Sequence, residues 1–273
     1  MSGQIIFFEK NIIDLDNTNV TLTVTDAVAS NTGQTFVNFI RNRNNTSAWM
    51  TTGSTDAAGT RLDVNFGQIE GLSEIILIKN NFKAFSIQYW DGLDYVNFSN
   101  SINETTNALE TNYFNFTAIV TDRIRIIITE TQVIDEDKKL FQLILTNKLL
   151  TGRLEGWPII KSPKHSLNKV NTRMLSGKSN IIESVGSFSV SLTVDSYKVA
   201  NDLDVFEAIY FNRKPYLLWL CGGNELQFAS QRIGYRLEDI YLVRPSDDYE
   251  PEYMEGVYQL GIKFSIRLQE VIR

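Results

Sequence analysis

The sequence predicts a mainly β protein, with an antiparallel β-sandwich followed by a second β-rich domain that carries one short helix. Three observations support this fold class. Short segments alternate apolar and polar residues with the period of a half-buried strand, and Gly, Asn and Asp separate them. The first half also contains no convincing helical pattern. Short strands joined by such turns are typical of antiparallel sandwiches.

Seven segments of the first half are predicted as strands. Residues 20–24 alternate apolar and polar side chains, and residues 62–66 do the same and stop at Gly67. Residues 75–78 form a continuous apolar run, which indicates a central strand buried on both faces. Residues 85–89 alternate up to the turn dipeptide Asp91-Gly92. The remaining predicted strands are residues 95–98, 123–128 and 139–145.

The second half begins with a predicted junction over residues 146–169, which contains two glycines and two prolines. Strands are predicted at residues 185–194, 215–220 and 240–243, with one helix at residues 202–211 between the first two. In the last predicted strand, apolar residues alternate with a polar face formed by Lys263, Ser265 and Arg267. This half is therefore expected to be mostly β.

Charge separates the two halves and excludes several classes of partner. The chain of 273 residues has a net charge of −6. Residues 1–146 hold 10 Lys and Arg against 17 Asp and Glu, whereas residues 147–273 hold 16 against 15. Neither half has the basic excess of a nucleic-acid-binding surface, so no such partner is expected. No window approaches 18 consecutive apolar residues, so no membrane span is expected either.

No catalytic constellation is visible. His165 is expected alone in a loop, and Cys221 lies in an apolar run that favours a buried, unreactive thiol. The Gly222-Gly223 pair lacks the Lys of a phosphate-binding loop, and it is read as a turn. The acidic segments 135–137 and 247–252 are read as solvated loops. Neither enzymatic activity, nor a cofactor, nor a metal ion is therefore expected.

Four segments of the first half, in order, resemble the discoidin-like family, also called the coagulation-factor type C or galactose-binding-like domain. Residues 46–49, Thr-Ser-Ala-Trp, are similar to its early element ending in Trp, and Trp49 is expected to plug one end of the sandwich. Residues 61–67 are similar to its W-L-x-V-D-F-G strand, with an I-x-x-I-x-I-like segment at residues 72–78. Residues 85–92 and 123–126 are similar to its Y-x-I-x-Y-S-x-D-G and A-R-Y-I-R-I segments.

The resemblance covers residues 20–146 and implies a jelly-roll sandwich that binds glycans, lipids or proteins through loops at one end. The terminal Cys pair of the extracellular members is missing, and Tyr95 stands where many members have Trp. No ligand set is carried over from the family. Asn44, Asn45 and Trp90 are the residues predicted to contact a ligand, and the alternative for Trp90 is a core or edge aromatic.

The second half resembles the sandwich of phage distal-tail and tail-tube proteins, which pair a sandwich with a short helix and form rings. The predicted organisation is a strand in residues 1–15 that can join the second domain, a discoidin-like sandwich at 16–147, and a tail-type assembly domain at 148–273. In distal-tail proteins the ring domain usually comes first. The order here fits only if residues 5–8 return to the second domain, which would make the sandwich an insertion.

The leading functional hypothesis is therefore a non-catalytic component of a phage tail tip or baseplate. The protein would form a homo-oligomeric ring, contact other tail proteins and bind host-surface glycans. The N-terminus lacks the features of a signal peptide, which favours assembly in the host cytoplasm and a final location in the virion tail. The alternative is a free carbohydrate-binding, lectin-like protein.

Overall fold

The computed structural model describes residues 4–26, 34–43, 47–57, 59–151, 159–173, 179–194, 207–211, 214–222, 240–246, 252–256 and 259–271. The chain divides into two compact units. The inserted unit is Glu9–Lys148, and the terminal unit combines Met1–Phe8 with Leu149–Arg273. The predicted boundary at residue 15 differs from this division, because Asn11 bonds to the backbone of Leu143 and Leu145 within the inserted unit.

The inserted unit contains eight described strands and one short helix. The strands are β2 (Thr21–Asp26), β3 (Trp49–Met50), β4 (Thr60–Asn80), β5 (Phe82–Trp90), β6 (Tyr95–Asn97), β7 (Asn103–Glu104), β8 (Asn112–Thr131) and β9 (Lys139–Thr146). The helix α1 (Gln34–Val37) continues into a 3-10 turn over Asn38–Arg41. The described strand pairs of this unit are antiparallel, which confirms the predicted antiparallel sandwich.

The two long strands β4 and β8 run through both layers of the sandwich. The first part of β4 pairs with β2, and its last part pairs with β9. The last part of β8 pairs with β5, which in turn pairs with β6 and β7. The first layer therefore holds β2, β5, β6, β7 and one end of each long strand. The second holds β3, β9 and the other ends.

Alternating side chains of the first layer build the core. Leu62, Val64 and Phe66 on β4 are fully buried, as are the isoleucines of β8 at positions 124, 126 and 128. Trp49 is also fully buried and belongs to the same apolar cluster. The residues that alternate with these buried positions along the two strands lie on the outer face of the layer. The sequence alternation therefore fixes which residues face solvent there.

The prediction that a strand ends at Gly67 is wrong, because β4 continues through it. The register of β4 against β8 shifts between Asn65 and Glu70. Gly67 has a positive φ of 75°, and its amide donates to Asn65 Oδ1. An ideal Cβ at this position would lie 2.6 Å from Asn19 Cβ. Gly67 is thus a bend inside a strand, where only glycine fits without strain.

The terminal unit is a second antiparallel sheet. Its strands are β1 (Gln4–Phe8), β10 (Lys148–Thr151), β11 (Ile159–Arg173), β12 (Ser179–Val194), β13 (Tyr216–Gly222), β14 (Ile240–Pro245), β15 (Glu252–Gly256) and β16 (Gln259–Glu270). The strand order is β10-β1-β13-β14-β16-β12-β11, and β15 also pairs with β16. Residues 207–211 are helical, whereas residues 202–206 of the predicted helix lie outside the described residues.

The predicted junction at residues 146–169 is wrong in its last part, and so is the loop predicted around His165. Both Pro163 and His165 lie in β11, opposite Val190 and Phe188 of β12. β11 stands at the end of the strand order, where a proline does not interrupt a second ladder. Glycine and proline therefore suggested a loop where the chain forms an edge strand.

No helix in the described ranges has the length and apolarity that a membrane span requires.

Candidate functional site

A row of polar side chains crosses the outer face of the first layer. Residues directly opposite on neighbouring strands share a face. Thr23 on β2 pairs with Asp63 on β4, and Asp63 pairs with Arg125 on β8. Arg125 pairs with Gln88 on β5, which pairs with Asn97 on β6. Five strands thus contribute one continuous row of hydrogen-bonding side chains.

Two aromatic rings lie beside this row. Trp90 at the end of β5 pairs with Tyr95 at the start of β6, and their ring centroids are 5.2 Å apart in an edge-to-face arrangement. The guanidinium carbon of Arg125 lies 3.5 Å from the Tyr95 ring centroid, and that of Arg123 lies 5.2 Å from the Trp90 centroid. Both distances allow cation–π contact. The surface formed by Arg61, Asp63, Trp90, Tyr95, Arg123 and Arg125 is called the aromatic–arginine face below.

Asp63 holds two of these arginines in place. Its Oδ1 accepts a hydrogen bond of 2.7 Å from Arg125 Nε, and its Oδ2 accepts one of 2.8 Å from Arg61 Nε. Burial raises the pKa of the Tyr95 phenol and the Asp63 charge adds to this, while the three arginines act in the opposite direction. The Tyr95 hydroxyl therefore stays protonated at neutral pH and can donate a hydrogen bond.

A tight turn fixes the two rings. Asp91 Oδ1 accepts hydrogen bonds from the amides of Leu93 and Asp94, and these bonds lower the pKa of its carboxyl. Gly92 has a φ of 106°, which favours glycine. On the other side, Thr121 Oγ1 donates to the Trp90 carbonyl. The turn and this anchor hold the rings in position without a ligand.

Of the three residues predicted from sequence to contact a ligand, Trp90 belongs to this face. It is half-buried on the outer side of the sheet and does not belong to the core. Asn44 and Asn45 lie outside the described residues. The arginines and Asp63 were missed, although their alternation with buried residues at 62, 64, 124 and 126 already placed them on the outer face.

The acidic segment 135–137 is the exposed loop that the sequence indicated, with Asp137 partly buried, and its carboxylates also bond to a second loop. Asp137 Oδ1 accepts from the Ser54 amide and the Thr51 hydroxyl. The Asp56 amide donates to Asp135 Oδ1, and the Asp135 amide donates to Asp56 Oδ2. The carboxylates therefore join two loops that are about eighty residues apart in sequence.

A fully buried lysine lies at the centre of this junction. Lys138 Nζ donates to Ser54 Oγ at 2.8 Å and to the Thr55 carbonyl at 2.6 Å, and it lies 3.9 Å from Asp56 Oδ1. Burial acts to raise the pKa of Asp56. Hydrogen bonds from Asp135 and Thr131, together with the Lys138 charge, bring it below its ordinary value. The arrangement is that of a structural ion pair.

The buried carboxyl group of Glu74, elsewhere in the inserted unit, has a shifted pKa. Burial raises the pKa of Glu74, against a hydrogen bond from Tyr113 and the charge of Lys148. Its Oε2 has no hydrogen-bond partner.

Within the described ranges, no group of three or more His, Cys, Asp or Glu side chains can hold a metal ion. Of the acidic segment 247–252, residues 247–251 lie outside those ranges, and Glu252 begins strand β15 rather than lying in a loop.

No protein-family model and no curated protein matches the sequence. Among solved structures, chitosan-binding module 1 of a chitosanase/glucanase from Paenibacillus sp. IK-5 is 16% identical, with a TM-score of 0.39 over 50% of this chain and 98% of the module. CpGH89CBM32-5 from Clostridium perfringens, in complex with GalNAc-β-1,3-galactose, is 14% identical, with a TM-score of 0.37 over 48% of this chain and 97% of that one. A Ruminococcus gnavus GH29 fucosidase in complex with fucose is 9% identical, with a TM-score of 0.40 over 51% of this chain and 27% of the enzyme.

Proposed function

We propose that the inserted unit is a non-catalytic carbohydrate-binding module whose ligand lies on the aromatic–arginine face. The observation that carries this proposal is the fixed pair of Trp90 and Tyr95 beside a row of hydrogen-bonding side chains. Binding sites for small ligands combine aromatic surface with a few placed polar groups. The resemblance of residues 20–146 to a family of binding modules supports the same function.

The chemistry of the face suits a sugar. A pyranose presents C–H groups on its faces, which pack on an aromatic ring, and hydroxyls around its edge, which need polar partners. Trp90 offers the ring, and Gln88, Asn97 and Tyr95 offer amide and hydroxyl groups on the same face. The face is already ordered by the Asp63 ion pairs and the turn at Asp91, so little conformational freedom is lost on binding.

Trp90→Ala tests this proposal. We expect the wild-type chain to bind defined sugars on a glycan array, and the variant to bind the same sugars at least tenfold more weakly, or about 1.4 kcal/mol. The physical reason is loss of the stacking surface. Isothermal titration with the best array sugar measures the ratio of dissociation constants.

Phe36→Ala is the matched control, since Phe36 is an exposed aromatic (52% of its surface) whose ring contacts Phe39 and which lies in α1, an element that contributes no residue to this face. It should bind as wild type does. Far-UV circular dichroism and the melting temperature establish that both variants are folded. The absence of any glycan binding by the wild type, or full binding by folded Trp90→Ala, would falsify the proposal.

For the terminal unit we propose assembly, as a ring-forming component of a phage tail tip or baseplate that contacts copies of itself and other tail proteins in the virion. The supporting observation is the path of the chain. Strand β1 pairs with β13, so the N-terminal strand and residues after 148 belong to one sheet and the sandwich is an insertion. In the described strand order, β10 and β11 are edge strands, and an edge strand can pair with another copy.

A further inference from the structure

The aromatic–arginine face differs in charge from the unit that carries it. Residues 9–148 hold 11 Lys and Arg against 17 Asp and Glu, a net charge of −6. The face and its neighbour Asp122 hold three arginines against two aspartates. Within the face itself, three arginines outnumber the single carboxylate of Asp63, and the other neighbouring carboxylates, Asp91 and Asp94, belong to the turn at its border. Such a local excess favours an anionic ligand.

Each of these arginines is bound to its aspartate through Nε. The Arg61 and Arg125 Nε atoms bond to Asp63, and Arg123 Nε bonds to Asp122 at 3.1 Å. Within the described part of the chain, none of their Nη atoms has a hydrogen-bond partner. A guanidinium donates through five N–H groups in a fixed plane, so four donors of each arginine remain available.

The contacts of Arg123 and Arg125 fix their guanidinium groups, while their Nη atoms remain accessible to a ligand. Arg125 is fixed by Asp63 on one side and by the Tyr95 ring on the other, and about a fifth (22%) of its side chain is exposed. Arg123 is held by Asp122 and Trp90, with 41% of its side chain exposed. A planar fork that is already oriented matches a carboxylate or sulfate with two parallel hydrogen bonds.

We infer that the ligand of this face is an acidic glycan, whose carboxylate or sulfate is bound by the Nη groups of Arg125 and Arg123 while a sugar ring packs on Trp90. This inference rests on the proposed carbohydrate-binding function and names its substrate class. Asp63 is a positioning residue, because it orients the guanidinium groups of Arg61 and Arg125. Without these arginines, its own negative charge would repel an anionic ligand.

The test compares three probes by isothermal titration at about 150 mM salt, which screens exposed charges beyond about 8 Å. Hyaluronan hexasaccharide carries carboxylates alone, carboxyl-reduced chondroitin sulfate carries sulfates alone, and carboxyl-reduced hyaluronan carries neither. We expect at least one acidic probe to bind tenfold more tightly than the neutral one. The arm that binds more tightly identifies the oxyanion.

Arg125→Lys distinguishes recognition through the two parallel hydrogen bonds of a guanidinium from attraction by positive charge alone. We expect it to lose tenfold or more in affinity for the acidic probe, because an ammonium cannot form the two parallel bonds. Lys83→Gln is the matched control, since Lys83 forms an exposed ion pair with Glu130 that involves no residue of the face. It removes one cation from the unit and should bind as wild type does.

The outcomes distinguish the two proposals. Equal affinity for acidic and neutral probes, lost in Trp90→Ala, overturns the acidic-glycan inference and leaves carbohydrate binding in place. Unchanged acidic binding in folded Arg125→Lys overturns the inference as well. Equal binding to a single-stranded oligonucleotide overturns it too, because it would show attraction of any polyanion. Failure of every sugar on the array, acidic ones included, overturns the proposed function itself.

Discussion

Lys138 shows how a single buried charge can organise two loops. Its ammonium lies among Ser54 Oγ, the Thr55 carbonyl and the Asp56 carboxylate, and no part of the residue is exposed. A buried ion pair contributes little net stability compared with an apolar replacement of the whole pair. Removal of one partner is costly, because the other charge then stays buried and uncompensated.

We therefore expect Lys138→Met to lower the free energy of unfolding by about 3–5 kcal/mol. Chemical denaturation of the full chain, followed by intrinsic fluorescence, measures this change. Lys83→Met removes an exposed lysine of an ion pair and should leave the transition unchanged. A Lys138→Met protein as stable as wild type would show that the surrounding oxygens need no cation.

The sequence could not reveal this role. Lys138 stands next to Lys139 in an unremarkable polar segment, and its partners are more than eighty residues away. The acidic run 135–137 was correctly predicted as an exposed loop, but its bonds to Ser54 and Asp56 were missed for the same reason. The Trp90 site is different, because its neighbours follow from strand alternation once the register of β4, β5 and β8 is known. Register was the missing information.

At the scale of elements, the long strand β4 depends on the bend at Gly67. The bend lets one strand pair with β2 in the first layer and with β9 in the second. The sequence correctly predicted both parts as strands, residues 62–66 from alternation and residues 75–78 from a continuous apolar run. It could not show that they form one strand, because glycine is equally typical of a turn and of a bulge.

Gly67→Ala is expected to destabilise the inserted unit by about 2 kcal/mol or more, since a positive φ is strained for alanine and the new Cβ meets the Asn19 backbone. Gly53 is a matched control, with a φ of 71° and no atom within 4 Å of its ideal Cβ. Gly53→Ala keeps the strain without the collision, so thermal unfolding should show a smaller loss. Equal losses would mean that the close approach to Asn19 contributes nothing.

At the scale of the whole molecule, the path of the chain separates an inserted unit from a terminal unit. Fold class and antiparallel architecture followed from the sequence, because alternation and turn residues are local signals. The N-terminal strand was recognised only as a candidate for the second domain, because pairing across more than two hundred residues leaves no local mark. The edge strand β11 was missed because Pro163 and its neighbours suggested a junction.

If the terminal unit assembles, the full chain should give a concentration-dependent multimer of defined mass in size-exclusion chromatography with light scattering. Trp90→Ala should give the same mass, since its change is confined to the inserted unit. A monomer at all concentrations would contradict the proposed assembly. A multimer dispersed by Trp90→Ala would instead assign self-association to the aromatic–arginine face.

The two ends of the inserted unit lie side by side. The Glu9 amide donates to the Asn147 carbonyl at 2.9 Å, and the Thr146 hydroxyl donates to the Glu9 carbonyl. Strands β1 and β10, which lead into and out of the unit, are neighbours in their own sheet. Because these ends are adjacent, we expect that a short loop from Phe8 to Leu149 could replace the unit, and that another module with adjacent ends could be inserted there. If the inserted unit binds glycans as proposed, its exchange for another module would change the ligand while the sheet of the terminal unit stays the same.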